Sequence, residues 1–207
     1  MNVITEIIIY KGDDMRNLYD SWVKASEIDQ SDKNTCHSYL EIYENLFQNK
    51  NRVNLLEIGI KRAGSLVMWA DFFDEGSVID GIDLKLPKTK DMLPKNVYCF
   101  SGNAYSEEMV EIFRLVKFDI IIDDGSHYLK DMIFVVQNYL PLLKSNGILV
   151  VEDVKAKFLK NEKLIYSLLN VIPNELKICS YIIDRRFVKK RSDDVLLVIN
   201  KEMLNAG

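Results

Sequence analysis

The chain has 207 residues, of which 48% are hydrophobic and 28% are charged, a composition typical of an ordinary globular protein that excludes a disordered or fibrous chain. Its length is that of one sizeable domain. The formal net charge is -4, so the chain lacks the overall basic field that draws proteins to nucleic acid, and no nucleic-acid partner is expected.

The cysteines and the apolar segments exclude further classes of protein. Cys36, Cys99 and Cys179 are scattered and form no CxxC pair, which argues against a disulfide framework and a zinc knuckle and favours a reducing, cytoplasmic location. The first residues lack the regions of a signal peptide, and no apolar run reaches the roughly 18 residues of a membrane span. The basic run 185–191 is interpreted as a solvated hairpin edge.

The first fifty residues are predicted to be helical. Apolar residues recur at helical spacing in two segments, 15–28 and 36–47, and Asn34 or Thr35 is expected to cap the second helix. We expect residues 1–50 to form a helical cover over a core made by residues 51–207, the whole being a single domain.

From residue 51 the pattern changes to short apolar runs separated by helical stretches, which is typical of a mostly parallel sheet. The last two strands are joined by a short polar connection and should form an antiparallel hairpin at one edge. The prediction is an α/β fold with a Rossmann-like, doubly wound sheet of seven strands. These strands are VNLLEIGI, SVIDGIDL, NVYCFSG, FDIIIDD, GILVVED, LKICSYIID and DDVLLVINK.

The end of the first core strand predicts a cofactor site. Gly59 and Gly64 flank a turn before a helix, but the G-x-G-x-x-G dinucleotide fingerprint is absent, so a pyrophosphate cradle is not expected. Glu57 would repel a pyrophosphate and tolerate a cationic ligand, which favours S-adenosylmethionine over NAD. Asp83, at the end of the next strand, is placed to bind a ribose. The alternative is that the glycines only make a tight turn and Asp83 caps the next segment.

The third strand is followed by a weaker signal. Asn103 could hydrogen-bond the edge of an adenine. An equally good interpretation makes Ser106 the N-cap and Glu108 a first-turn acid of the helix that follows.

Two strands end in paired acids, at Asp123 and Asp124 and at Glu152 and Asp153. Adjacent parallel strands would bring these four carboxylates together, which is costly unless a cation neutralises them. Oxygen ligands suit Mg²⁺ or a similar hard divalent cation, with Asp124 and Asp153 as the first candidates. The alternative is that the acids are caps or are hydrogen-bonded within the protein.

His127 follows the first acid pair by three residues. An imidazole can accept a proton near neutral pH, so His127 is a candidate general base acting beside the metal, with Asp124 as its catalytic partner. A structural histidine, perhaps capping a helix, is the alternative interpretation.

The segments carrying these features resemble the class I S-adenosylmethionine-dependent methyltransferases, and more closely the metal-dependent sugar O-methyltransferases that modify deoxysugars. The resemblance extends from about Ser31 to Lys201, and its most specific parts are the D-D-G-S-H and E-D elements. Ala63 departs from the family, whose members often have glycine at this position. The segments are SDKNTCHSYLEIYENLF, LLEIGIKRAGSLVMWADFF, VIDGIDL, FDIIIDDGSHYLKDMIFVVQNYLPLLKSNGILVVEDV and RSDDVLLVINK.

The resemblance implies how the site residues are used. Acids matching Asp124 and Asp153 would hold Mg²⁺ with Glu152 as a further ligand, and the residue matching His127 would be the base. The segment 32–39 would cover the cofactor and bring Lys33 and His37 near the site. The residues expected to bind S-adenosylmethionine are Glu57, Gly59, Gly64, Ser65, Asp83, Asn103 and Asp123.

The implied function is O-methylation of a sugar hydroxyl, with rhamnose-like deoxysugars in a glycan or glycoside as the first expected acceptors. The alternatives are a methyltransferase acting on an amine, a phenol or an antibiotic scaffold, and an inactive module that only binds the cofactor. A homo-oligomer or a link to a glycosyltransferase domain would be compatible with this function.

Overall fold

The computed structural model describes residues 2–4, 17–155 and 162–204. In these ranges the chain forms one mixed sheet of eight strands, in the order β1-β7-β8-β6-β5-β2-β3-β4. The strands are β1 (Asn2–Ile4), β2 (Asn54–Ile58), β3 (Val78–Asp83), β4 (Val97–Ser101), β5 (Phe118–Asp123), β6 (Leu143–Val151), β7 (Ser180–Asp184) and β8 (Val195–Asn200). The helices are α1 (Leu18–Ala25), α2 (Asp32–Thr35), α3 (Leu40–Phe47), α4 (Gly64–Phe72), α5 (Glu107–Ile112), α6 (Leu129–Asn138), α7 (Glu162–Asn170) and α8 (Arg186–Lys189).

The predicted fold class is confirmed. All seven predicted strands are present, β2 to β6 pair in parallel, and β8 runs antiparallel to both β6 and β7. The sheet has one strand more than predicted, because β1 pairs in parallel with β7. The chain runs from β2 outward to β4 and then returns to β5 on the other side of β2, so the strand order reverses between β2 and β5.

The core lies in two layers, one on each face of the sheet. Along β5, Ile120 and Ile122 pack into one layer and Ile121 packs into the other, and all three are fully buried. Burial of both faces explains why this strand is a continuous apolar run rather than an alternating one. Helices α1, α3 and α4 cover the first layer, whereas α5 and α6 cover the second.

Several predicted boundaries were wrong. The predicted second helix, 36–47, corresponds to α3, which begins after Tyr39 and has no side-chain N-cap. Asn34 and Thr35 instead lie inside the short helix α2, which is capped by the side chain of Ser31. Residues 174–179, predicted in part as the start of a strand, form a 3-10 helix. The predicted helices starting at residues 15 and 157 begin outside the described residues. Among the residues that are described, no helix is long and apolar enough to cross a lipid bilayer.

Candidate active site

The predicted site residues lie at or just beyond the carboxyl ends of β2 to β6, around the point where the strand order reverses between β2 and β5, as expected for ligand sites of open α/β sheets. The parallel ladder continues past the strand ends: the Asp124 N–H donates to Ile58 O at 2.8 Å, and the Glu152 N–H donates to Asp123 O at 2.9 Å. These backbone bonds fix the acids of two neighbouring strands side by side.

A glycine is required at position 59 because the backbone after β2 lies close to the backbone after β5. Its φ is +85°, and an added Cβ would lie 2.2 Å from the carbonyl oxygen of Asp124. Gly64 lies equally close to the N-terminal segment, since its Cβ would be 2.3 Å from Asp29 O. Ala63, the departure from the family pattern, has φ 71°, a left-handed conformation that glycine adopts at lower cost. The turn therefore keeps the conformation of a glycine-containing loop.

A cavity of about 380 Å³ opens beside this turn, within the range of small-molecule sites. Gly59, Asp83, Asn103 and Asp124 all line it. The Asp83 carboxylate accepts hydrogen bonds from the N–H groups of residues 60 and 61, at 3.1 and 2.8 Å. Asp83 thus holds the turn while facing the cavity, so the binding and capping interpretations are compatible.

A smaller cavity of about 170 Å³ adjoins the first through Gly59 and Asp124. Gly64 and Ser65 line it on the core side, and residues 29–32 line it on the side of the N-terminal segment. Five of the seven predicted cofactor contacts, Gly59, Gly64, Ser65, Asp83 and Asn103, thus line one or both of two neighbouring cavities.

Lys33 occupies the centre of the acid cluster. Its side chain is fully buried, and its Nζ lies 2.6 Å from Glu152 Oε1, 2.9 Å from Asp124 Oδ2 and 3.1 Å from Glu57 Oε1. The Tyr43 hydroxyl also donates to Glu152, and Trp69 Nε1 donates to Glu57 Oε2 at 3.0 Å. Each fully buried charge therefore has a partner, as burial of ionised groups demands.

The electrostatics of this cluster show an excess of acid. Burial raises the pKa of Glu152 well above its usual value, and Asp124 raises it further while Lys33 opposes the shift. Burial also raises the pKa of Glu57. Burial alone would lower the pKa of Lys33, but Asp124, Glu152 and Glu57 together raise it well above its usual value. One ammonium ion therefore stays charged beside three carboxyl groups, and burial favours the protonated form of Glu57 and Glu152.

His127 is the most accessible side chain among the residues of this cluster, and it lies beside the buried Asp153. His127 Nε2 lies 3.7 Å from Asp153 Oδ2 and 4.0 Å from Asp124 Oδ1, and the His127 side chain is 25% exposed. The Tyr39 hydroxyl donates to Asp153 Oδ1 at 2.7 Å. Because Tyr39 holds one oxygen of Asp153, the other oxygen is directed towards the imidazole.

A second histidine supports Asp153 from behind. His37 Nδ1 lies 2.6 Å from Asp194 Oδ1 and 3.4 Å from Asp153 Oδ1, and both His37 and Asp194 are buried. The ring of His37 stacks on Tyr39, with 4.8 Å between ring centroids. His37 therefore lies behind the site, and His127 is the histidine that faces the accessible side.

Two predicted cofactor contacts lie beneath the cavities. Glu57 is fully buried against Lys33 and Trp69, and Asp123 is buried and accepts a hydrogen bond from the Tyr105 hydroxyl at 2.9 Å. Neither lines the two cavities described above, so their placement gives no support to a direct contact with the cofactor.

The sequence interpretation missed the hydroxyl donors. Tyr39 and Tyr43 lie in the segment 36–47, where they count among the apolar residues at helical spacing, yet both hydroxyls donate to site acids. A signal was available, because a buried tyrosine hydroxyl needs a hydrogen-bond partner. Asp194 was missed because nothing in its local sequence indicates a partner 157 residues away.

The donor set fits a divalent cation. Within the described residues, two groups place their potential ligand atoms within 4.8 Å of one another: Asp124 with His127 and Asp153, and Asp124 with Glu57 and Glu152. Lys33 already bridges the second group. Asp124 belongs to both groups, so a hard cation held by Asp124 and Asp153 would have Glu152 next to it, in the oxygen-rich setting that Mg²⁺ prefers.

Comparison with protein-family models finds no match. Among curated proteins, the chain is 28% identical over 138 residues to 8-demethyl-8-alpha-L-rhamnosyl tetracenomycin-C 2'-O-methyltransferase of Streptomyces olivaceus, covering 62% of this chain and 36% of that protein. It is 29% identical over 129 residues to mycinamicin VI 2''-O-methyltransferase of Micromonospora griseorubida, covering 57% and 32%. The chain thus matches only about a third of the length of these relatives.

Solved structures of MycE methyltransferase from the mycinamycin biosynthetic pathway are also similar. The complex with Mg, SAH and mycinamycin VI superposes with a TM-score of 0.59 at 25% identity, over 69% of this chain and 40% of that chain. A complex with Mg and SAH gives a TM-score of 0.69 at 20% identity, over 95% and 58%. The chain has the class I S-adenosylmethionine-dependent methyltransferase fold. Both curated relatives are named as O-methyltransferases, one of a rhamnosyl compound and one of mycinamicin VI.

Proposed function

We propose that this class I methyltransferase fold carries an S-adenosylmethionine-dependent O-methyltransferase that requires Mg²⁺ or a similar divalent cation. The proposed acceptor is a sugar hydroxyl, with a rhamnose-like deoxysugar in a glycoside or glycan as the first candidate. The names of two relatives, which refer to a rhamnosyl compound and to mycinamicin VI, support this choice of acceptor class.

One observation carries the proposal. His127 Nε2 lies 4.0 Å from Asp124 Oδ1 and 3.7 Å from Asp153 Oδ2, and Asp124 also lines the larger cavity. A candidate proton acceptor, carboxylates that could hold a metal and a small-molecule cavity therefore adjoin one another. General base catalysis needs the base within reach of the proton it removes, and this arrangement would place an acceptor hydroxyl there.

The chain's residues would divide the work as follows. Gly59, Asp83 and Asn103 would bind the cofactor in the larger cavity, with Gly64 and Ser65 contributing from the smaller one. S-adenosylmethionine, when bound, would supply the methyl group and leave as S-adenosylhomocysteine, while His127 would accept the proton of the acceptor hydroxyl. Asp124, Glu152 and Asp153 would hold the divalent cation, which would supply charge neutralisation and polarisation of the hydroxyl. The protein contributes mainly alignment and electrostatics.

We also propose that residues 1–50 act as the cover of this site within a single domain. Their contribution is supported by the burial of Lys33 among the strand-end acids and by residues 29–32 lining the smaller cavity. A cytoplasmic setting is supported by the three free cysteines.

The test is a methyl-transfer assay against a panel of deoxysugar glycosides, catechols and amines, with Mg²⁺ and with EDTA. We expect transfer to a sugar that stops in EDTA and returns with Mg²⁺. Replacing His127→Ala should lower kcat by about 100-fold or more, while calorimetry should show cofactor affinity almost unchanged. Transfer only to a catechol or an amine would refute the sugar assignment, and equal loss of kcat and cofactor affinity would refute the role of His127.

A further inference from the structure

Lys33 is a fully buried lysine that none of the proposed catalytic steps uses. Lysine is almost never fully buried unless it is paired, and here the pairing is threefold, with Nζ within 3.1 Å of Glu57, Asp124 and Glu152. The Tyr43 ring adds a cation-π contact, with Nζ 5.9 Å from its centroid. The ammonium ion is therefore enclosed on several sides by groups that favour its charge.

Lys33 and its ion-pair partners come from distant parts of the chain. Lys33 belongs to α2, a helix of only four residues in the N-terminal segment. Its partners Asp124 and Glu152 lie 91 and 119 residues further along, directly beyond the ends of β5 and β6. The ion pairs therefore join the N-terminal cover to the same carboxylates that are proposed to hold the metal.

We propose that Lys33 is an internal counter-cation of the metal site. It neutralises and positions Asp124 and Glu152 in the absence of a divalent cation, and so keeps the cover docked on the core. This inference rests on the proposed function, because it assigns the same acids to the metal. It makes Lys33 a positioning residue, which acts through the carboxylates rather than on the substrate.

The number of acidic groups explains how the cluster can accommodate both the Lys33 ammonium ion and a divalent metal ion. Glu57, Asp124, Glu152 and Asp153 form one acidic cluster around Lys33 and His127. With Lys33 present, three carboxyl groups lie within 3.1 Å of one ammonium ion and Asp153 lies beside them, so the cluster holds more acid groups than Lys33 can pair and can also accept a divalent cation. Without Lys33, the buried acids on the side of Glu57 and Glu152 lose their only cationic partner among the described residues, and the metal becomes their nearest source of positive charge.

The test replaces the charge while keeping the length of the side chain, with Lys33→Met. In EDTA the variant should melt about 10 °C below the wild type, because it leaves buried carboxylates unpaired. Titrated Mg²⁺ should raise its melting temperature by more than it raises that of the wild type. The matched control is Lys24→Met, a lysine of the same segment that is 67% exposed and lies 3.1 Å from Asp71. That control should melt within about 2 °C of the wild type.

A second variant keeps the proposal testable if Lys33→Met does not fold. The double variant Lys33→Met with Glu57→Gln removes one charge of each sign, so it should regain more than half of the lost melting temperature in EDTA. A double variant that melts no higher than Lys33→Met, or that also fails to fold, would overturn the counter-cation role. So would Lys33→Met melting with the wild type in EDTA.

Measurements with and without Mg²⁺ distinguish a failure of this inference from a failure of the proposed function. Calorimetry of Mg²⁺ with the wild type tests the metal site itself, whereas the double variant in EDTA tests Lys33 without any metal. If the wild type binds no divalent cation, the proposed function loses its metal while a rescue in the double variant still supports the neutralising role. A Mg²⁺-induced rise equal in Lys33→Met and the wild type would refute the sharing of acids between Lys33 and the metal.

Discussion

The Tyr105 hydroxyl joins a buried acid to the loop that carries the site. It donates to Asp123 Oδ1 and accepts from the Ser126 N–H, both at 2.9 Å. Burial raises the pKa of Asp123 to about 7, and the hydrogen bond from Tyr105 opposes this shift. Replacing Tyr105→Phe removes both bonds, and the loss of folding stability should depend on pH because Asp123 changes charge.

The sign follows from the direction of the shift. The pKa of Asp123 in the folded protein lies above its ordinary value of 3.8, so protonation of Asp123 favours the folded state. The contribution of Asp123 to the free energy of unfolding is greatest below about pH 4, and it falls by about 4 kcal/mol as the pH rises to about 7. A hydrogen bond to the ionised carboxylate stabilises by about 1.5–3 kcal/mol, and one to the neutral acid by about 0.5–1.5 kcal/mol.

These magnitudes give the expected result of Tyr105→Phe. At pH 5.5 the variant loses one neutral bond to Asp123 and the bond from Ser126, about 2 kcal/mol together. At pH 8.5 the bond to Asp123 is charge-assisted, so the loss rises to about 3.5 kcal/mol. The free energy of unfolding would be measured by urea denaturation in EDTA at both pH values.

Tyr139→Phe is the matched control. The Tyr139 hydroxyl donates to the neutral carbonyl of Ala104 at 2.7 Å in a buried setting, so its removal should cost about 1 kcal/mol at both pH values. A loss for Tyr105→Phe that is equal at the two pH values, or larger at pH 5.5, would refute the reasoning about Asp123.

Two further predictions concern single positions around the sheet. Burial raises the pKa of Asp80 to about 6, so the ionised carboxylate destabilises the folded state. Asp80→Asn should therefore raise the free energy of unfolding at pH 7.5 by about 1 kcal/mol, a value reduced for screening by water. The same gain at pH 4, where Asp80 is protonated, would contradict this prediction. Gly59→Ala should lower both the melting temperature and the calorimetric affinity for S-adenosylmethionine, since its Cβ would lie 2.2 Å from Asp124 O; unchanged values would show that the backbone can move apart.

The central strands could be predicted because strands buried on both faces are continuous apolar runs. The segment 174–179 could not, because its exposure pattern suits two structures. Leu176 and Cys179 are buried while Ile178 is 80% exposed, and so short an apolar segment fits a strand and a 3-10 turn about equally well. The cap of the second predicted helix was wrong because Asn34 and Thr35, although both are capping residue types, belong to the separate helix α2, while α3 begins only at Leu40.

The grouping of acids at the sheet edge was predictable because the carboxyl ends of adjacent parallel strands meet there. The partners of those acids were not, because they come from distant segments. Lys33 was placed near the site only through the family resemblance, and its three ion pairs depend on how the cover packs. The basic run 185–191 is also more than a solvated edge. Lys189 in α8 donates to the carbonyl of His37 at 2.6 Å, and Arg185 pairs with Glu41.

His127 and Asp153 adopt backbone conformations that usually favour glycine, although both positions carry side chains of the candidate site. His127 and Asp153 face each other across 3.7 Å, and both have positive φ, 54° and 55°. Such conformations carry a steric cost that glycine would avoid, although histidine and aspartate tolerate them better than most residues. Gly59, one strand away, shows that the chain uses glycine where only the backbone matters. An imidazole and a carboxylate at two strained, facing positions therefore support a chemical role for these side chains over a purely structural one.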